Sequence, residues 1–142
     1  SRGWRGRPRA SGGVDVEPWS EERTTLAEVK ERIRRFLRER EWESQHTPKN
    51  LAMSIAIEAA ELMEIFQWTP SEEAASYARG SEERLRHVQE EVADVVIYCV
   101  SLANALEFDL ARALDEKIRR NAVRYPAPVR ERGGAKEGGV RP

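Results

Sequence analysis

The stretch LAMSIAIEAAELMEIF, residues 51–66, places carboxylates in the stripe that a helix is expected to bury. Winding it at about 100° per residue gathers apolar side chains such as Leu51 and Leu62 on one face. Glu58 falls in the middle of this apolar stripe, and Glu61 falls at its border. Since a buried carboxylate is costly unless a cation neutralises it, the stretch predicts an amphipathic helix whose acidic groups face a cation.

The same arrangement recurs in VQEEVADVVIYCVSLANAL, residues 88–106. With Glu91 as the origin of the helical wheel, Val95 and Leu102 lie within about 40° of it, and Asp94 lies at the edge of the stripe. Two helices thus direct an E-x-x-E pair and an E-x-x-D pair toward the interior. Oxygen-only ligands favour a hard divalent cation, Mg²⁺ with Mn²⁺ as a substitute. The alternative is a buried network in which Arg or Lys side chains neutralise the four carboxylates.

Helical periodicity and capping signals predict an all-α protein with a four-helix bundle-like core and no strand. The predicted helices are Leu26–Glu43, Pro48–Trp68, Glu82–Leu106 and Leu110–Arg124, with a loop over 69–80 that holds at most one helical turn. Their predicted N-caps are Thr25, Thr47, Ser81 and Asp109. Thr25 also forms a capping box with Glu28, and Pro48 suits the first position of its helix.

The predicted domain covers residues 21–126, between tails at 1–20 and 127–142 whose Gly, Pro and Arg content predicts disorder. The third predicted helix is apolar nearly all round from Val92 to Ala105, so one small bundle cannot easily cover it. We therefore expect a homo-oligomer with this helix near the interface.

Composition excludes several kinds of partner. The balance of 24 basic and 25 acidic residues, a formal net charge of −1, lacks the positive field that nucleic-acid binding requires. The longest charge-free stretch, residues 95–106, is too short to cross a bilayer. Cys99 is the only cysteine in the sequence, which excludes an intrachain disulfide and fits a reducing compartment. We therefore expect a cytoplasmic protein that binds neither nucleic acid nor membrane.

The last predicted helix carries Lys117, Asn121 and Arg124 on the face that its apolar residues share. Cationic and amide groups on such a face suit phosphate oxygens, or they reach solvent at the edge of the bundle. Two tryptophans, Trp42 and Trp68, either stack on a base or belong to the core and its rim.

The two acidic pairs and the residues around them, in their order along the chain, resemble the sequences of the MazG-like all-α nucleoside triphosphate pyrophosphohydrolase superfamily. The resemblance is closer to its dCTP pyrophosphatase branch. The resemblance covers about Leu26 to Pro126 and rests on REWESQHTPKNLAMSIAIEAAELMEIFQW, VQEEVADVVIYCVSLANAL and DEKIRRNAVRYP. A lone E-x-x-E is a weak signal. Two acidic pairs together with W-x-x-x-H, F-Q-W, D-V-V-I-Y and K-x-x-x-N-x-x-x-Y-P are highly specific.

The resemblance implies Mg²⁺-dependent hydrolysis of a (d)NTP, dCTP or a modified dCTP, to the monophosphate and pyrophosphate, a reaction of nucleotide-pool sanitation. It also implies dimers or tetramers whose sites are assembled between subunits. The implied metal ligands are Glu58, Glu61, Glu91 and Asp94, and we expect Glu61 or Glu58 to be the general base. The implied substrate-binding residues are Trp42, His46, Asn50, Trp68, Tyr98, Lys117, Asn121 and Tyr125, to which helix geometry adds Arg124.

Two other functions fit parts of the pattern. A di-iron carboxylate bundle normally needs two Glu-x-x-His motifs, whereas this chain offers one match, Glu43-x-x-His46, at a helix end. A non-catalytic helical oligomeric adaptor, with its buried acids held in salt bridges, predicts neither hydrolysis nor a Mg²⁺-dependent thermal shift.

Overall fold

The structure, a computed structural model, describes residues 17–130, and the all-α prediction is confirmed. Its helices are α1 (Leu26–Glu39), α2 (Pro48–Phe66), α3 (Ala74–Arg79), α4 (Glu82–Ala105) and α5 (Leu110–Arg124), with short 3₁₀ turns at Glu43–Gln45 and Ser71–Glu73. No strand occurs among the described residues. Helices α1 to α4 belong to one compact unit that ends at Phe108, and α5 belongs to a second unit that begins at Asp109.

The four helices predicted from the sequence begin where their caps place them. Each cap side chain accepts a backbone N–H: Thr25 from Glu28 at 3.2 Å, Thr47 from Asn50 at 3.3 Å, Ser81 from Arg84 at 3.3 Å and Asp109 from Arg112 at 2.9 Å. These bonds satisfy donors that the first turn of a helix leaves without intrahelical partners, and this explains why the starts were predictable.

The predicted end of the first helix at Glu43 is wrong, because α1 ends at Glu39. Glu41 adopts a φ of 56°, in the left-handed region, and the chain leaves the helix there. The backbone N–H of Trp42 donates to the carbonyl of Leu37 at 2.9 Å. A left-handed residue followed by this reaching-back bond is the Schellman ending of a helix. It turns the chain so that the Trp42 ring returns to α1.

The segment over 69–80, predicted as a loop with at most one helical turn, holds a 3₁₀ turn followed by the six-residue helix α3. Ala78 is buried, and α3 packs against α4. Gly80 ends α3 at a point where a Cβ would lie 3.0 Å from the carbonyl oxygen of Ser76. The close approach of the chain here therefore favours glycine.

The core of the first unit lies where α4 packs against α2 and, less extensively, against α1. Its most buried apolar side chains are Leu51 of α2 and Val100 and Ala103 of α4. Asn104 ties α4 to α1, since its amide nitrogen donates to the carbonyl of Lys30 at 3.1 Å. The central position of α4 brings its acidic face opposite that of α2.

The first described residues, from 17 onward, contact the start of the helical unit. Arg32 of α1 lies over the Trp19 ring at 4.4 Å, and Glu17 pairs with Arg23 at 2.9 Å. The rest of the predicted N-terminal tail and residues 131–142 of the predicted C-terminal tail lie outside the described residues. Within residues 17–130, no helix combines the length and the apolar composition that crossing a bilayer requires.

Candidate metal centre

The acidic pairs of α2 and α4 face the interior between the two helices. Glu58, Glu91 and Asp94 are 5%, 2% and 6% exposed. Glu61 is half-buried, whereas its neighbour Glu64 on the same helix is exposed to solvent. Carboxylates are almost never buried to this degree unless they are paired or bind a metal. The burial follows the helical wheel, which places these side chains inside and Glu64 outside.

Three of the four carboxylates come together. One carboxylate oxygen from each of Glu58, Glu61 and Glu91 lies within 4.8 Å of the other two. Asp94, the fourth predicted ligand, is not in this group and follows Glu91 by about one helical turn on α4. Oxygens on opposite sides of one Mg²⁺ are about 4.2 Å apart. The group is therefore close to the spacing that a hard divalent cation requires.

The electrostatics of Glu58 also favour a cation. The pKa of Glu58 is raised from 4.5 to about 7, mainly by burial and in addition by hydrogen bonds with Glu91 and Glu61 and by the charge of Glu61. A carboxyl group in this state holds a proton near neutral pH, and a divalent cation would take the place of that proton. The donor set, oxygen atoms from carboxylates, thus fits Mg²⁺ or Mn²⁺.

A cleft of 590 Å³ opens beside Glu61 and Glu91 and contains basic groups that the sequence analysis missed. His87 Nε2 lies 3.4 Å from an oxygen of Glu91. The Arg84 guanidinium lies 3.9 Å over the Tyr77 ring and donates to the Tyr77 carbonyl. Helical winding of the sequence could have pointed to them. His87 and Arg84 precede Glu91 by four and seven positions and therefore share its face of the helix.

The aromatic residues of the predicted nucleotide pocket form a group of their own. The His46 ring is stacked with the Trp42 ring and with the Tyr98 ring, at a centroid distance of 6.4 Å from each. Phe36 meets Trp42 edge-on at 5.8 Å. Tyr98 follows Asp94 by about one helical turn, so this aromatic group continues the face of α4 that carries the carboxylates.

The other predicted pocket residues of the first unit lie at the two ends of α2. The Asn50 amide donates to the carbonyl of Gln45 at 3.0 Å and joins the first turn of α2 to the preceding 3₁₀ turn. Trp68 lies two residues beyond the end of α2 at Phe66, and it is 88% exposed. The structure therefore brings Trp42, His46 and Tyr98 together but leaves Trp68 open to solvent.

The predicted substrate-binding residues Lys117, Asn121, Arg124 and Tyr125 all belong to the second unit. Helix α5 has no buried residue, and all four side chains are exposed. The Arg124 guanidinium lies 5.3 Å over the Tyr125 ring, and the Tyr125 backbone N–H donates to the carbonyl of Asn121 at 2.8 Å. Their predicted roles in binding stay predictions.

Comparison with known proteins agrees with this architecture. A model of the MazG-like family matches residues 53–137. The chain is 40% identical over 111 residues to dCTP pyrophosphatase 1 of Bos taurus, covering 78% of this chain and 64% of that protein. It is 39% identical over 103 residues to dCTP pyrophosphatase 1 of Homo sapiens, covering 72% of this chain and 60% of that protein. The chain thus spans less than two thirds of the length of these relatives.

Similarity extends to solved structures. The crystal structure of a pyrophosphatase from Archaeoglobus fulgidus superposes with a TM-score of 0.66 at 39% identity, covering 79% of this chain and 99% of that one. The resemblance drawn from the acidic pairs and the flanking motifs is confirmed. Together with the inward-facing carboxylates of two packed helices, these matches establish that the chain belongs to the MazG-like family.

Proposed function

We propose that the protein is a Mg²⁺-dependent nucleoside triphosphate pyrophosphohydrolase that cleaves a (d)NTP, dCTP or a modified dCTP, to the monophosphate and pyrophosphate. The observation that carries this proposal is the convergence of Glu58, Glu61 and Glu91 within 4.8 Å beside an open cleft. The relatives named dCTP pyrophosphatase 1 support the reaction and the cytosine base.

The carboxylates supply both metal ligands and a base. Glu58, Glu61, Glu91 and Asp94 would hold Mg²⁺, which when bound neutralises negative charge that develops on the triphosphate oxygens. Glu61 is the half-buried member and is therefore suited to take the proton of the attacking water, with Glu58 as the other candidate. Water attacks the α-phosphorus, the bond from it to the bridging oxygen breaks, and pyrophosphate leaves.

Cationic side chains would bind the leaving pyrophosphate. Arg84 lines the same cleft as Glu61 and Glu91, so positive charge is available beside the carboxylates, and His87 adds ring nitrogens to this cleft. A guanidinium group matches phosphate oxygens with two parallel hydrogen bonds. Lys117 of α5 stays a further candidate from the family resemblance, together with Asn121, Arg124 and Tyr125.

A panel of canonical dNTPs, NTPs and 5-methyl-dCTP with Mg²⁺ tests the proposal, scored for pyrophosphate against orthophosphate. We expect pyrophosphate and a monophosphate, with a loss of about 100-fold or more in Glu61→Gln because the general base is removed. Glu64→Gln is the matched control, since Glu64 lies on the same helix but points to solvent. If the folded protein hydrolysed no triphosphate, the proposed enzymatic function would be rejected and a non-catalytic helical adaptor would be favoured.

A homo-oligomer assembled through α4, and a cytoplasmic location, belong to the same proposal. Val92 and Val96 of α4 expose apolar side chains, as do Met53, Ile57 and Met63 of α2. Large exposed apolar groups on adjacent helices are typical of a surface that a second protein covers.

A further inference from the structure

The Glu91 carboxylate is contacted by two side chains, one from each of the packed helices. His87 precedes it by about one turn of α4, and its Nε2 lies 3.4 Å from Oε1 of Glu91. Glu58 of α2 forms a hydrogen bond with the same carboxylate. Oε2 of Glu91 is buried, and Oε1 is the oxygen that faces His87. The contact with His87 therefore distinguishes the two oxygens of this carboxylate.

The helix alone does not fix the orientation of this carboxylate. The last torsion of a glutamate side chain is broad and roughly two-fold, so the group turns at little cost. Mg²⁺, in contrast, requires its ligand oxygens at about 2.0–2.1 Å in near-ideal octahedral geometry. Ordering a carboxylate for that geometry costs conformational entropy, and a neighbouring side chain that already orients the group reduces this cost.

His87 lies outside the group of converging oxygens. Within residues 17–130, the ligand atoms that come within 4.8 Å of one another belong to Glu58, Glu61 and Glu91. The His87 side chain is 48% exposed and lines the open cleft, whereas that of Glu91 is 2% exposed. Mg²⁺ and Mn²⁺ also prefer carboxylate oxygen to imidazole nitrogen. His87 is therefore placed to act on a metal through Glu91 and not as a further ligand.

We propose that His87 is a positioning residue, which holds Oε1 of Glu91 in the orientation that a divalent cation requires. The neutral imidazole suffices for this role, because the tautomer with its proton on Nε2 donates to Oε1. Contacts at 3.4 Å in a site without its ligand commonly shorten when the ligand binds. Partners of this kind typically strengthen metal binding by about 10- to 100-fold. The inference rests on the metal site of the proposed function and adds to it the residue that orients one ligand.

The test measures the affinity for Mn²⁺ without nucleotide, from the EPR signal of the free ion, and the affinity for Mg²⁺ by competition. We expect His87→Ala to raise both dissociation constants about tenfold. His87→Gln keeps an N–H donor near the position of Nε2 and should remain within about threefold of the parent. Gln89→Ala is the matched control, since Gln89 is exposed and lies about 160° around α4 from Glu91.

Leaving the nucleotide out separates this role from a direct contact with phosphate. If His87 contacted only the phosphate groups, His87→Ala would raise KM for the triphosphate and leave both metal dissociation constants within about twofold of the parent. That result would overturn the inference. Pulsed EPR of bound Mn²⁺ supplies a further check: a nitrogen coupling that His87→Ala removes would make His87 a ligand, which also contradicts a positioning role.

The inference and the proposed function can fail separately. If the parent binds Mn²⁺ but hydrolyses no triphosphate, the function falls, and a tenfold loss of affinity confined to His87→Ala still supports the inference. If the parent hydrolyses triphosphates and His87→Ala binds both cations as tightly as the parent, the function stands and the inference is overturned. A parent that binds neither cation also overturns it.

Thermal melts in EDTA show whether the variants fold. We expect the same melting temperature for the parent and for His87→Ala, because alanine suits an exposed helical position. Should His87→Ala unfold, His87→Met decides, since it fills the position without a donor. Metal binding by His87→Met as tight as in the parent would reject the positioning role, and a loss of about tenfold would support it.

Discussion

The raised pKa of Glu58 makes stability depend on pH in the absence of metal. The folded chain binds this proton more tightly than the unfolded chain, whose pKa is 4.5, because of burial and the neighbouring acids. The stability that the proton on Glu58 contributes to the folded chain is therefore fully present below pH 4.5 and is lost as the pH rises through about 7. We expect the unfolding free energy in EDTA to fall by up to about 3 kcal/mol between pH 5 and 8, as measured by urea denaturation.

Two controls test the origin of that pH dependence. Glu58→Gln keeps the shape of the side chain without the titration, so its stability should change much less between pH 5 and 8. Mg²⁺ at pH 8 should restore stability to the parent, since the cation takes the place of the proton. If the unfolding free energies of the parent and of Glu58→Gln changed with pH in the same way, a group other than Glu58 would cause the pH dependence.

Arg84 permits a separate prediction at the level of one side chain. Its guanidinium lines the cleft beside Glu61 and Glu91. Under the proposed function, this cleft receives phosphate groups of the triphosphate. We expect Arg84→Gln to lower kcat/KM for the triphosphate about tenfold, mainly through KM, because a charge-assisted contact is lost. Arg79→Gln on α3 is the matched control, and thermal melts of both variants separate binding from the loss of the Tyr77 contact. If Arg84→Gln and Arg79→Gln had the same kcat/KM and KM, Arg84 would not contact the substrate.

At the level of the helices, local signals explain what the sequence predicted and what it missed. Caps and apolar stripes are set by neighbouring residues, so the starts of the long helices and the inward direction of Glu58 and Glu91 were predictable. The end of α1 was not, because the residues up to Glu43 favour a helix, and it is the Schellman ending at Glu41 that stops it. Helix α3 is held by packing on α4 rather than by its own length.

The ending of α1 yields a stability prediction. Glu41 has a φ of 56°, a conformation that costs a non-glycine residue about 1 kcal/mol. We expect Glu41→Gly to raise the unfolding free energy by up to about 1 kcal/mol, measured by urea denaturation. Glu39→Gly, two positions earlier and inside the helix, should lower it by a similar amount. Destabilisation by Glu41→Gly would mean that its side chain contributes more than the backbone strain costs.

At the scale of the whole molecule, helical winding predicts faces but not which faces meet. The acidic pairs could be assigned from winding alone because each lies within one helix. The grouping of Trp42, His46 and Tyr98 depends on how α4 packs beside the turn after α1, so only the family resemblance pointed to it. Arg84 and His87 were overlooked because an exposed charge on a helix is usually only solvated, and α3 was not anticipated beside them.

The apolar residues that remain exposed on α2 and α4 bear on the assembly of the protein. Ile57 and Val96 are 57% and 49% exposed, although both lie on helices that form the core. We expect a homo-oligomer at micromolar concentration, which Val96→Glu dissociates because a charge cannot be buried without a partner. Light scattering after size exclusion measures the masses, with Ala27→Glu on the exposed face of α1 as control. A monomeric parent would mean that these side chains stay in solvent and that each chain carries its carboxylate site alone.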